Sequence, residues 1–579
     1  MAINNLESSI NQKIEQWLNG NYNDETKKSI QELIDKNNLE ELNDAFYKDL
    51  SFGTGGLRGL MGVGTNRMNI YTIGKATQGL ANYLKKTYSN QSIKVAVSFD
   101  SRNSSPLFAQ TVADVFSAND IYVYLFNELR PTPELSFAIR KLGCQSGVMI
   151  TASHNPKEYN GYKAYWNDGG QLIAPHDNNV IQEVNALSIN EVKFDKNDAL
   201  IKKIDDEIDQ LYFKELVDLS LHPDAVSQQQ NLKIVYSPIH GTGITAVPKV
   251  LSLWGFTNVH VVASQATPDG NFPTVIYPNP EEEEAMSKGL EEAVALDADL
   301  LLATDPDADR VGVAVKNHEG AFQLLNGNQI GSLLVDYVLK IKSEKNQLQE
   351  NDFTCKTIVT TNLIQEISSS YNIKCYEVLT GFKYIGELMT DLLGKENFLV
   401  GGEESYGYLV GDLVRDKDAI VSCAFIAEMT AYYKSQGQSL YEALTSLYLN
   451  HGFYREKLIS LTKKGKSGAE EIKAMMDRLR TSPPKTLGGN PVALVKDYEN
   501  SVSIDQLSGA KETINLPKSD VLQFITSDGS VVSARPSGTE PKIKFYCSAR
   551  LPLDSPTNYK LIEENLERKI EEMMSDILQ

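Results

Sequence analysis

The chain has 579 residues, 41% apolar and 23% charged, with a net charge of −20. That length exceeds a single hydrophobic core and predicts about four domains; the composition is that of an ordinary globular protein. The acidic balance argues against a nucleic-acid partner, whose phosphates need a basic surface, and an anionic small molecule would have to be drawn in by a local positive cleft.

Five cysteines, Cys144, Cys355, Cys375, Cys423 and Cys547, are scattered without the spacing of a zinc site or redox motif, which predicts free thiols in a reducing compartment. The start, Met1-Ala-Ile-Asn-Asn-Leu6, has neither the basic residues nor the apolar run of a secretory signal. No window approaches the roughly 18 apolar residues of a membrane span. A cytoplasmic protein with no membrane partner is expected.

Residues 6–50 read as helices: Leu6, Ile10, Ile14 and Leu18 recur at helical spacing, Gly20 stops the run, and Asn23 and Asp24 offer a cap for the next segment. From Ile93 the pattern changes to short β-branched runs, Lys94–Phe99, Ile121–Phe126 and Gly147–Ile150, with helical stretches from Pro106 to Ser117 and from Pro133 to Leu142 between them. This alternation predicts an α/β domain with a largely parallel sheet. Polar His222–Asn231 reads as a linker. A second α/β unit has strands at Lys233–Tyr236, Val259–Val262 and Asp299–Ala303, then a polar break at Lys342–Asp352. A third takes in strands at Thr357–Thr360 and Asn397–Val400. Thr481–Pro491, rich in Pro and Gly, is the strongest linker signal. The last segment has strands at Val521–Thr526, Ser530–Ala534 and Ile543–Cys547, and an amphipathic helix through Ile562, Leu566, Ile570, Met573 and Ile577. The expected domains are 1–222, 231–342, 352–480 and an α+β unit at 491–579. In each α/β unit an apolar strand runs into a polar loop, and ligands bind at such strand ends.

The first such loop is Thr151-Ala152-Ser153-His154-Asn155-Pro156. Ser153 offers a hydroxyl that could carry a phosphoryl group, and Asn155-Pro156 turns the chain after it; a serine that only caps the loop is the plain alternative. Gly-x-Ser-x-Gly is absent, which argues against a hydrolase elbow. Lys163 follows as an acid/base or a charge. The second loop is Asp305-Pro306-Asp307-Ala308-Asp309-Arg310. In an extended chain its three carboxylates would face one side and repel unless a cation lay among them, which suits Mg²⁺. An EF-hand would need Gly and Glu where Arg310 and Lys316 stand, and a haloacid-dehalogenase-type phosphatase would carry Thr or Val in place of Asp309. A solvated acidic turn is the plain alternative.

Three more loops add parts. Gly401–Gly407 carries Glu403 and Ser405, able to bond sugar hydroxyls or to form a simple turn. Arg415-Asp416-Lys417-Asp418 adds cations or a surface salt-bridge cluster. Arg535–Lys544 has the composition of a phosphate pocket: the Arg535 fork, the Ser537 and Thr539 hydroxyls, and Gly538 to let backbone amides approach an anion, with a charged hairpin turn as the alternative. Phe52–Gly59, with Arg58, is Gly-rich but lacks the nucleotide P-loop pattern. The acidic run Glu281–Glu284 reads as a solvated helix start. A nucleophile, a metal cage and a phosphate clamp are the parts of phosphoryl transfer.

From about Gly53 to Lys544 these loops, in this order, resemble the α-D-phosphohexomutase superfamily, most closely its phosphoglucomutase branch (the phosphoglucomutase/phosphomannomutase family). The resemblance implies an α/β fold of four domains around a central cleft, three similar α/β domains with mixed sheets and a C-terminal α+β domain. It implies an intramolecular phosphotransferase of the isomerase class, working through a phosphoserine and a bisphosphorylated sugar. Residue by residue, it implies Ser153 as the phosphate carrier, and Asp305, Asp307 and Asp309 with the Ser153 phosphate as Mg²⁺ ligands. Arg310 is implied as a phosphoserine contact, Lys163 and His154 in proton transfer and phosphate contact, and Glu403 and Ser405 as readers of sugar hydroxyls. Arg535, Ser537, Gly538 and Thr539 match the clamp on the non-reacting phosphate. Arg58, Thr380-Gly381-Phe382-Lys383, Lys417 and Lys544 match further active-site positions. The implied cofactors are Mg²⁺ and a sugar 1,6-bisphosphate activator; the implied partner is a phosphosugar, and the oligomeric state stays open. Glu404 and Tyr406 in the sugar loop point to glucose. Pro306 and Ala308 also occur in a branch with phosphopentomutases, so phosphomannomutase and phosphopentomutase stay open, as do a sugar-phosphate phosphatase and a non-catalytic sugar-phosphate sensor.

Overall fold

Three helices, Ser8–Asn19, Asp24–Asp35 and Leu39–Phe46, open the chain as their spacing predicts. The computed structural model describes residues 6–53, 56–463, 465–537 and 541–579. Asn23 caps the second helix, its side chain accepting from the Thr26 N–H at 2.8 Å. Ile10, Ile14, Trp17, Leu42 and Phe46 bury one face of this layer against Tyr71, and Trp17 stacks on Tyr22 at 4.3 Å.

The first sheet runs in the order Gly56–Leu60, Tyr159–Trp166, Ser146–Ile150, Lys94–Phe99, Tyr122–Phe126, Ile201–Ile204. Its last four strands are parallel, and Tyr159–Trp166 returns antiparallel to Ser146–Ile150. The second sheet repeats this core. Val311–Lys316 returns antiparallel to Leu300–Thr304, which lies parallel to Ile234–Ser237, itself parallel to Val259–Val261. In the third, Gly407–Val410 returns on Asn397–Glu403, which is parallel to Asp352–Thr357, and that strand to Lys374–Val378. The four-strand core thus occurs three times, and each time the loop before the antiparallel return carries a polar motif. Most of these strands read as continuous apolar runs because both faces are covered; every residue of Leu300–Thr304 is buried.

The fourth sheet is antiparallel throughout and is packed by the helix Tyr559–Leu578. Its edge strand, Phe453–Thr462, pairs along its length with Lys542–Leu551, although it comes from the segment read as the third unit. Thr481–Pro491 is therefore not a linker. Thr486–Leu487 pairs with Asn490–Asp497, Leu487 is fully buried, and Gly488 and Gly489, at φ 53° and 76°, supply the left-handed turn.

Two further expectations are corrected. His222–Asn231 is not a linker but carries a helix, Pro223–Gln228, whose N-terminus His222 caps by accepting from the Ala225 N–H at 3.1 Å; Ala225 and Val226 are buried. The third unit's first strand is Asp352–Thr357, ending where the run Thr357–Thr360 begins. Ile358 and Val359 instead pack with Leu379, Tyr498 and Val521, joining the third sheet to the fourth.

The helix Ala419–Ser435 is the hub, buried at every position from Ala419 to Tyr433, as a helix apolar all round must be. Phe425 meets Trp254 edge-on at 5.2 Å, and the Ala419 N–H donates to Ala308 O at 3.2 Å, tying the helix to the acidic loop. All five cysteines are free. Among the described residues no helix is long and apolar enough to cross a membrane.

Candidate active site

Ser153 lies in the loop that leaves Ser146–Ile150, with φ at 51° and its side chain almost wholly buried. Its Oγ donates to Asp305 Oδ2 at 2.8 Å and meets His154 Nδ1 at 3.3 Å. Two loops 152 residues apart in sequence are thus joined by one hydrogen bond.

The acidic loop is not extended. It turns, with Ala308 at φ 50°, and the turn rather than strand alternation brings Asp305, Asp307 and Asp309 together. One ligand oxygen from each lies within 4.8 Å of the others. Asp305 Oδ1 accepts from the backbone N–H of Asp309 and of Arg310, both at 3.1 Å. Asp307 Oδ2 accepts from Thr132 Oγ1 at 2.8 Å and from Lys163 Nζ at 2.7 Å. Asp309 Oδ2 lies 3.1 Å from Lys163 Nζ and 3.2 Å from Lys417 Nζ. Asp307 Oδ1 and Asp309 Oδ1 are buried with no hydrogen-bond partner among the described residues. Orphaned carboxylate oxygens are costly, and a converging set of hard oxygens fits a Mg²⁺-like cation.

The charges follow. Burial, then Asp307 and Asp309, push Asp305 well above the ordinary carboxylate range. For Asp309 burial is outweighed by Lys163, Lys417 and Arg310, which hold it far below that range. Burial would lower the Lys163 ammonium, but Asp307 and Asp309 outweigh it and keep it above its usual value. Burial, with Arg310 and Arg58, drives His154 well below its own, so the imidazole is neutral.

One cleft of about 720 Å³ gathers the other predicted residues: Arg58, Ser153, His154, Lys163, Asp309, Arg310, Thr380, Gly381, Lys383, Glu403, Ser405, Lys417, Arg535 and Lys544 all line it. Asp305 and Asp307 lie buried behind the Ser153 hydroxyl and Lys163. Among the described lining residues, eight Lys or Arg face five Asp or Glu, so the cleft reverses the sign of the whole molecule. Arg58 donates to Asn155 Oδ1 at 3.2 Å. Glu403, buried, accepts from the Gly381 N–H at 2.9 Å, which holds Thr380–Lys383 against the Gly401–Gly407 loop. Lys417 reaches the acids past Gly407, where a Cβ would sit 2.0 Å from the lysine stem. Arg535 stands directly opposite Lys544 in adjacent strands. Like charges so placed repel, and burial with Lys542 and Arg535 lowers the Lys544 pKa; an anion between them would relieve the repulsion. Ser537 donates its N–H to Lys542 O at 2.7 Å, outside the cleft lining. Gly538 and Thr539 lie outside the described residues.

Comparison with known proteins shows the family. Four successive segments, 49–191, 210–320, 326–450 and 491–555, match phosphoglucomutase/phosphomannomutase alpha/beta/alpha domains I, II and III and the C-terminal domain. The chain belongs to the phosphoglucomutase/phosphomannomutase family. It is 37% identical to a phosphoglucomutase of Staphylococcus epidermidis, over 90% of this chain and 94% of that one. Its fold is similar to that of Paramecium pp63/parafusin, with a TM-score of 0.67 at 18% identity, covering 90% of this chain and 95% of the other. It is also similar to an Aspergillus fumigatus N-acetylphosphoglucosamine mutase variant in complex with glucose 1,6-bisphosphate, with a TM-score of 0.51, 13% identity and 98% of each chain covered.

Several residues in and around this cleft were not legible in the sequence. Glu281 is no solvated helix start: the helix begins at Glu283, and Glu281 lies on the cleft wall, 2.5 Å from Arg310 Nη1. The cluster Arg415–Asp418 is fully buried rather than superficial. There Asp416 braces Lys417 at 3.2 Å while accepting from Tyr165 OH at 2.7 Å and Gln171 at 2.9 Å. Nothing in the local sequence marks either acid. Thr132 and Arg102 also went unread, though both follow apolar runs, the very signal that singled out the other loops.

Glu404, in the sequence a marker of sugar type, is also a perturbed acid in the structure. Burial, then Glu403, raises it from 4.5 to about 7, against hydrogen bonds from Thr360 at 3.0 Å and Thr357 at 3.2 Å. An acid harder to ionise in the folded than in the unfolded chain contributes stability that is full below 4.5 and lost as pH rises through about 7. Glu456, raised to about 7 by burial, adds the same dependence. Glu404→Gln keeps the acceptor and removes the charge. Denaturant titrations should show it more stable than wild type by about 2 kcal/mol near pH 8, allowing for solvent in the open cleft, and level with wild type at low pH. Equal pH dependence in the two proteins would contradict the buried-acid account.

Proposed function

We propose that the protein is a phosphoglucomutase, interconverting glucose 1-phosphate and glucose 6-phosphate through phospho-Ser153 and glucose 1,6-bisphosphate. The observation that carries this reading is the 2.8 Å contact of Ser153 Oγ with Asp305, in a cleft whose far wall offers cations for a second phosphate. The name borne by the staphylococcal relative supports glucose as the sugar.

Asp305, Asp307 and Asp309, with the serine phosphate, would hold Mg²⁺, which when bound neutralises charge on the transferring group. Phospho-Ser153 gives its phosphoryl group to the free hydroxyl of the bound sugar phosphate: the serine P–O bond breaks and a sugar P–O bond forms. The sugar hydroxyl loses its proton to an acceptor and the serine oxygen gains one from a donor, so the protons balance. His154, neutral, can accept; Lys163, held as an ammonium, can donate. Arg310, Arg58 and Lys417 hold phosphate oxygens, and Glu403 and Ser405 read the sugar hydroxyls. The bisphosphate then turns and returns its other phosphate to Ser153. Arg535, Ser537, Gly538, Thr539, Lys544 and Lys383 serve as the clamp for whichever phosphate is not reacting. The cleft must exclude water at this stage, because a phosphoserine is otherwise hydrolysed.

Arg535→Ala should raise the KM for glucose 1-phosphate about 10- to 100-fold, with a smaller change in kcat, because a bidentate charge-assisted contact is lost from bound substrate. An unchanged KM would remove Arg535 from the clamp. The reading as a whole is tested by coupled assays on glucose, mannose, glucosamine and pentose 1-phosphates with free phosphate measured in parallel. Fastest conversion of the glucose ester with almost no phosphate release is expected. Steady release would mark a phosphatase, and binding without turnover a sensor.

A further inference from the structure

One side chain, outside the cleft lining, holds the whole Ser153 loop. Arg102 follows the strand Lys94–Phe99 and is 1% exposed. Its Nη2 donates to the carbonyls of Ser153 and Asn155, both at 2.5 Å, and its Nη1 to those of Pro156 at 2.8 Å and Tyr159 at 3.1 Å. Four carbonyl oxygens from one short loop therefore converge on one guanidinium. Their dipoles would repel without it, and no other side chain offers a planar fork that meets all four. Asp100 braces the fork: its Oδ2 lies 3.2 Å from Arg102 Nε, and its Oδ1 accepts from the Arg102 backbone N–H at 2.9 Å. Across the domain boundary, the Phe272 ring covers the guanidinium at 5.0 Å. At Gly270 a Cβ would sit 2.3 Å from the Asn103 nitrogen.

The geometry has a consequence for the nucleophile. Ser153 sits at φ 51°, a left-handed conformation that costs a non-glycine residue roughly 1 kcal/mol or more. Drawing its carbonyl inward to Arg102 stabilises that conformation, and the same residue's Oγ reaches Asp305 on the neighbouring domain. We propose that Arg102, braced by Asp100, is the positioning residue that sets the Ser153 hydroxyl for phosphoryl transfer. The inference rests on the reading of Ser153 as the phosphoryl carrier. Arg102 is not among the described residues that line the cleft and reaches it only through the backbone of the Ser153 loop, so its loss should lower the rate of transfer while leaving substrate affinity in place.

The test compares wild type with Arg102→Lys, Arg102→Ala and Asp100→Asn, measuring kcat and KM for glucose 1-phosphate per folded enzyme, with Ser153 phosphate followed by peptide mass. Lysine keeps the charge but offers one ammonium in place of a fork. Arg102→Lys should lose about 100-fold in kcat with KM held within about threefold, the usual cost of an ångström-scale displacement of a reacting group. Asp100→Asn should lose about tenfold in the same pattern, and millimolar guanidinium should partly restore kcat to Arg102→Ala. A merely structural role would lower the folded fraction without this split. A folded Arg102→Lys with kcat within about twofold of wild type, or a loss carried by KM, overturns the proposal. If the Arg102 variants do not fold, Asp100→Asn decides: unchanged kcat rejects the inference, and a fall at constant KM supports it. Absence of phosphate on Ser153 in the turning-over wild type would instead sink the carrier reading itself, and this inference with it.

Discussion

Ser153→Ala is expected to abolish turnover of glucose 1-phosphate, with kcat falling by about four orders of magnitude or more. In the proposed mechanism both half-reactions pass through this hydroxyl, and the neighbouring carboxylates are already engaged: without Ser153, Asp305 still accepts from two backbone N–H groups and Asp307 from Thr132 and Lys163. The substitution removes one hydrogen bond to a carboxylate, so the fold should lose only about 1–3 kcal/mol, and sugar-phosphate binding through the proposed clamp on the far wall should persist. Calorimetric binding alongside the coupled assay checks both halves. Turnover retained within about tenfold of wild type would end the phosphoserine reading, whatever the family.

Asp307→Asn is expected to lower kcat by about 10²- to 10³-fold, in line with removal of a preorganised charge from a dry site, and to raise the Mg²⁺ concentration for half-maximal rate by at least about tenfold. Asparagine keeps the shape and one acceptor for Thr132 or Lys163, but it withdraws an anion from a set of three in which Asp307 Oδ1 and Asp309 Oδ1 have no hydrogen-bond partner among the described residues. The readout independent of activity is metal-induced stabilisation. Mg²⁺ should raise the melting temperature of wild type, since it binds the folded state alone, and should raise that of Asp307→Asn much less. An identical metal response in rate and in melting would show that the cation, if any, binds elsewhere.

The legibility of this chain was uneven. Strands such as Lys94–Phe99 and Leu300–Thr304 were plain because parallel strands covered on both faces are continuous apolar runs. The strand Asp352–Thr357 was missed because it contains Asp352, two threonines and Lys356, whose buried ammonium is paired with Glu377 at 2.7 Å. The Pro/Gly signal at Thr481–Pro491 marked a turn inside a sheet, since punctuation of the chain says where it bends and not what it leaves. Within the site, residues in compact loops were visible as motifs. Glu281, Asp416, Thr132 and Arg102 were not, because each has a partner distant in sequence: Arg310, Tyr165, Asp307 and the Ser153 loop in turn.

The amino-acid order alone therefore determined the chemistry on offer: a serine in a turn, three carboxylates at alternate positions, a sugar loop and a basic hairpin, each delivered by an apolar strand. Only the tertiary structure decided how these parts act together. The acidic loop gathers its oxygens by a turn at Ala308 rather than by strand alternation, and an acidic chain acquires a cationic cleft because three copies of one four-strand core and a fourth sheet face inward. Charge and distance between loops are properties of packing, and no local pattern of residues encodes them.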